Sequence, residues 1–75
     1  MKGENVIKMY PNPADEFIAI EGLPHLTNCR IYNSIGGLVQ ELPVSGKTNL
    51  DVQSFTPGMY LFSFENGWKQ KVMIK

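Results

Sequence analysis

The chain has 75 residues, 43% of them hydrophobic and 11% aromatic, a globular composition at a length where only about 60% of the unfolded surface becomes buried, which excludes a large catalytic cleft. Seven basic residues cancel seven acidic ones, so no overall field draws in nucleic acid or an anionic membrane. The single cysteine, Cys29, excludes an internal disulfide and a cysteine zinc cluster, and no apolar run has the length of a membrane span or signal peptide.

Strand-like runs follow one another at short, regular spacing, with no sustained helical period. The first covers residues 6–10. Pro11 and Pro13 lack N–H donors and fix φ, so Tyr10-Pro11-Asn12-Pro13-Ala14 reads as a rigid corner, with Asn12 able to bond nearby backbone. The second strand is 17–21 and the third 27–32, the latter with Cys29 and Ile31 on one face and Arg30 and Tyr32 on the other. Residues 33–37 form a hairpin turn in which glycine supplies positive φ. Strand four is 38–42. A turn at Ser45-Gly46-Lys47 leads to strand five, 48–52, whose Leu50 and Val52 face the core, and residues 54–57 cross to strand six, 59–65.

Strand six carries Tyr60, Phe62 and Phe64 on one face and Met59 and Leu61 on the other, which suggests a central strand. Asn66-Gly67 is the strongest hairpin signal in the chain and joins it to strand seven, 68–74. There Trp68, Val72 and Ile74 share a face with Gln70, and Lys69, Lys71 and Lys75 share the other with Met73. No acid falls in the last ten residues, so this is the positive end. The expected fold is all-β, a compact Ig-like β-sandwich of about seven short antiparallel strands, in one domain over residues 1–75.

Catalysis finds little support. His25 and Cys29 lie four apart, but Cys29 is at an inward strand position, where it reads as a small core residue with no orienting group nearby. Asp15 and Glu16 are adjacent and so point apart on extended chain, whereas paired carboxylate chemistry needs convergence. One histidine and one cysteine do not make a metal site, and the glycines sit in hairpins rather than before a helix. No catalytic, cofactor or metal residue is expected.

The order Tyr-Pro-Asn-Pro-Ala (10–14), Ile31-Tyr32-Asn33 with Gly36, Leu38 and Val39, then Gly58-x-Tyr60, then Lys71-Val72 with Lys75, resembles the C-terminal sorting domain of the type IX (Por) secretion system, type A. The likeness covers nearly all of residues 6–75. It implies an Ig-like sandwich of seven antiparallel strands and a non-catalytic secretion signal that directs attached cargo across the outer membrane of a Gram-negative cell. It also implies two partners, an outer-membrane translocon and a sortase-like peptidase at the cell surface, with cargo passing from the periplasm to the surface or medium and in some cases joined to lipopolysaccharide. The motif residues are Pro11, Asn12, Pro13, Gly58, Tyr60, Lys71, Val72 and Lys75. Gly37 stands where many relatives have a polar residue, and neither His25 nor Cys29 belongs to the motif set.

The same residues also have structural readings. Pro11 to Pro13 can be a corner only, Gly58 can permit an unusual backbone angle or a close approach, and Tyr60 can pack its ring while its hydroxyl stays hydrated. The lysines either protect an edge strand from aggregation or dock a partner there, and exposed edges also make self-association expected. Residues 1–5 read as a cargo-proximal linker, with the cut upstream of the first strand and Met1 a start placed where upstream cargo was removed. Two other classes remain open. A carbohydrate-binding sandwich requires Tyr10, Tyr32, Tyr60 and Trp68 to cluster on one exposed face, and an Ig-like spacer rests on fold alone.

Overall fold

The computed structural model describes residues 7–75, so Val6 and the expected linker at 1–5 lie outside the described residues. Five strands follow in chain order: β1 (Lys8–Tyr10), β2 (Phe17–Tyr32), β3 (Leu38–Asp51), β4 (Gly58–Phe64) and β5 (Lys69–Ile74). They form one antiparallel sheet in the order β1-β2-β4-β5, with β3 also paired to β2. The first half of β2 lies between β1 and the second half of β3. Its second half lies between the first half of β3 and β4.

The chain is all-β, as expected, but the two-sheet sandwich of seven short strands is not what forms. A single curled sheet encloses the core. The difference lies at two corners. Strands two and three of the sequence reading are continuous as β2, and strands four and five are continuous as β3. Between them the ladder shifts register, so that Leu23 pairs with Gly46 and Thr27 with Val44, leaving residues 24–26 opposite Ser45 alone. Gly22 (φ 101°) and Gly46 (φ 51°) take backbone angles that other residues rarely adopt. Extra residues on one strand bend the pair without ending it. Pro43, opposite Asn28, is tolerated because among the described residues the other side of β3 bears no strand, so its missing N–H interrupts no second ladder there.

The curl gathers the apolar alternation of every strand into one core. Ile18, Ile20, Cys29, Ile31, Val44, Val52, Phe62, Val72 and Ile74 are the largest fully buried side chains. Leu50, Tyr60 and Phe64 join them, with Met9, Leu42, Phe55 and Trp68 packed against the margin. Strand β4 is central in the lateral sense, flanked by β2 and β5. Its outward face, however, has no second layer among the described residues: Met59 is 40% exposed and Leu61 is half-buried. The apolar outward residues of β4 therefore floor an open surface.

Candidate recognition surface

Strand β5 ends the sheet, and its outer edge is where the first and last motifs meet. Ala14 N–H donates to Met73 C=O at 2.9 Å, and Lys75 N–H donates to Ala14 C=O at 2.7 Å. Asn12 Oδ1 accepts from Met73 N–H at 3.1 Å. Ala14 is fully buried and bridges Ile74 in parallel. The corner thus works as a clip on the terminal strand. Pro11 and Pro13 flank Asn12 and are exposed; their missing N–H groups leave Asn12 and Ala14 to make the bonds of the clip. On the far side of the same segment, Val52 N–H donates to Glu16 C=O at 3.0 Å, which extends the β2–β3 ladder.

The hairpin between β2 and β3 is organised by one side chain. Asn33 Oδ1 accepts from Gly37 N–H at 2.8 Å and from Ile35 N–H at 3.2 Å, while its backbone N–H donates to Gly37 C=O at 2.9 Å. A Cβ built on Gly37 would lie 3.2 Å from Asn33 Nδ2, so the bare residue at 37 leaves room for the asparagine that caps the turn. Only the Ile-Tyr-Asn-x-x-Gly spacing hinted at this role in the sequence.

Gly58 has φ of 150°, and a Cβ there would meet nothing within 4 Å. The backbone angle, not a close approach, is what calls for glycine at this position. Tyr60 is buried, with its ring centroid 5.2 Å from that of Phe55. Its hydroxyl donates to Thr56 C=O and lies 3.0 Å from Thr56 Oγ1. Val72 is 1% exposed and belongs to the core. Gly58, Tyr60 and Val72 therefore build the shape, whereas Lys71 and Lys75 are exposed.

On the outward face the register sets Met59 beside Met73, Leu61 beside Lys71 and Ser63 beside Lys69, with Tyr32 on the other flank of Leu61. A shallow groove results. Tyr32, Met59 and Leu61 contribute its apolar surface, Asn33, Ser34 and Gly36 of the hairpin lie along one part of it, and Lys69 and Lys71 along another. Among the described residues neither lysine makes an ion pair; the pairs present are Arg30–Glu41 at 3.2 Å and Lys47–Glu21 at 3.6 Å.

The aromatic residues do not assemble a sugar platform. Tyr60 is buried and Trp68 packs against the core. Tyr32 is half-buried on β2, and Tyr10 is exposed on β1. Tyr10 donates to the Glu21 carboxylate, a bond that raises the phenol above its ordinary value and lowers the carboxyl. His25 is exposed while Cys29 is buried, so they share no site; burial pushes the Cys29 thiol up to about 12. Among the described residues no three His, Cys, Asp or Glu side chains are grouped to hold a metal ion.

The pieces of sequence that gave the resemblance thus fall around one strand and one groove. The family model of the secretion system C-terminal sorting domain matches residues 8–75. The chain belongs to this family. Searches of curated proteins and of solved structures returned no match. As a C-terminal sorting domain of the type IX system, it is a non-catalytic secretion signal. Such a domain implies an attached cargo that is secreted or held at the cell surface, and recognition by the type IX machinery. In this sorting domain the motifs divide into residues that complete the sheet and residues that remain exposed on it.

Proposed function

We propose that this sorting domain, read as type A, is recognised as a folded surface, the outward face of β4 and β5. Lys71 and Lys75 are the contact residues on this reading. Pro11, Asn12, Pro13, Gly58, Tyr60 and Val72 act by fixing the strand that carries them. The reader is the outer-membrane translocon, and a sortase-like surface peptidase cuts upstream of β1, releasing the cargo or passing it to lipopolysaccharide. The observation that supports this most directly is the clip: the opening motif holds Met73 and Lys75 by their backbones, while the lysine side chains stay exposed.

The test is export of a periplasmic fluorescent reporter fused ahead of the domain in a cell with a type IX system. Lys71→Glu with Lys75→Glu reverses two outward charges and touches no core residue. Reporter should fall at the surface and in the medium while the purified domain keeps its wild-type circular dichroism. Undiminished export of the folded variant would overturn the assignment of this face.

A further inference from the structure

The geometry points to a strand-pairing site on the open part of the β5 edge, at Lys69 and Lys71, whose occupant is an extended acidic segment of a partner protein. This rests on the reading of β5 as part of the recognised surface. In an antiparallel pair, alternate residues turn their backbone groups toward and away from the neighbouring strand. Met73 and Lys75 bond Asn12 and Ala14 on the side away from β4, so Lys71 and Lys69, two and four residues before Met73, face the same way.

Among the described residues no strand covers them there. Among the described residues the Lys71 carbonyl accepts from the side-chain amide of its neighbour Gln70, at 3.3 Å. The clip therefore seals one end of the edge and leaves the other open. Unpaired N–H and C=O groups on an end strand template the addition of another strand. Ala14 already runs parallel to Ile74 on this edge.

Charge selects the occupant. Lys69 and Lys71 project from alternate positions, roughly 6.8 Å apart along the strand, and neither meets a carboxylate among the described residues. A segment with carboxylates at every second position would match both. Two copies of this domain pairing through β5 would instead set lysine against lysine, which disfavours self-association at this edge.

The experiment uses the full 75-residue chain, amide hydrogen exchange by NMR, and three probes: a ten-residue peptide alternating Glu with Thr, its counterpart with Lys for Glu, and phosphatidylglycerol vesicles. The Glu peptide should slow exchange at the Lys69 and Lys71 amides by about tenfold and the Lys peptide should not. Lys69→Glu with Lys71→Glu should weaken the Glu peptide about tenfold and admit the Lys peptide. Protection confined to β1 or β3, equal protection by both peptides, vesicle binding in place of amide protection, or protection that rises with domain concentration alone would each overturn the proposal. Reporter export by this variant separates the two readings. Lost export without any pairing removes the strand site and leaves the recognition face standing; pairing with undiminished export does the reverse.

Discussion

The two faces of β4 and β5 are built from the same dozen or so residues and do opposite jobs. Inward, Tyr60, Phe62, Phe64, Val72 and Ile74 are all buried. Outward, Met59 and Met73 are each 40% exposed, and Lys69 and Lys71 are exposed beside Leu61 and Ser63. Because strand side chains alternate with a period of two, a motif such as Lys71-Val72 carries one letter for each face. Neighbouring letters in a sorting signal are therefore not equivalent: Val72 makes the shape, and Lys71 is what the shape displays.

The strongest way to break this comparison is to delete residues 72–75. That removes Val72 and Ile74 from the core, each contributing on the order of 1.5–3 kcal/mol, and takes away the backbone that the clip bonds. A core this small rarely supplies more than about 3–5 kcal/mol, so the truncated chain should show no cooperative urea transition. A retained transition would mean that the inward letters are not structural.

Next comes Cys29, opposite Phe64 on the inward side. Its thiol is raised from 9.0 to about 12 by burial. The unfolded chain therefore loses this proton first. The associated stability is fully present below pH 9 and declines as pH rises toward 12, by up to about 1.4 kcal/mol per pH unit. Urea midpoints from pH 8 to 11 should fall more steeply in the wild type than in Cys29→Ala; matching slopes would refute the assignment.

Smaller effects sharpen the boundary between the faces. Tyr60→Phe leaves Thr56 C=O without its donor and should cost about 1–2 kcal/mol in chemical denaturation. Asn12→Ala should cost about 1 kcal/mol and speed hydrogen exchange at the Met73 amide, while amides paired to β4 stay protected. The outward pair Lys71→Glu with Lys75→Glu should move stability by no more than about 0.5 kcal/mol, in keeping with exposed sites. A larger loss would place those lysines among the structural letters.

The alternation that separates the faces is legible in the sequence: Ile18, Ile20, Cys29, Ile31, Phe62 and Val72 are inward where a period of two puts them. The corners are not. Gly46 reads as a turn because a glycine with positive φ serves a hairpin and a bulge equally well; only the cross-strand register shows that Leu23 continues against Gly46. The clip was equally hidden. Pro11 and Pro13 announced a rigid corner, but Asn12 and Met73 are 61 residues apart, and a contact at that separation leaves no local pattern. The bond from the Tyr60 hydroxyl to the Thr56 carbonyl was hidden for the same kind of reason, since that carbonyl lies in a crossing with no periodicity to read.

The clip also sets the order in which the domain can be completed. Asn12 and Ala14 leave the ribosome some sixty residues before the backbone of Met73 and Lys75 that they bind, and closing so long a stretch of chain precedes the reward of the contact. A chain interrupted anywhere within β5 leaves the clip open and the central strand β4 with a bare flank. The outward face of β4 and β5 is therefore complete only once the strand carrying Met73 and Lys75 has docked, and its presence reports a closed sheet.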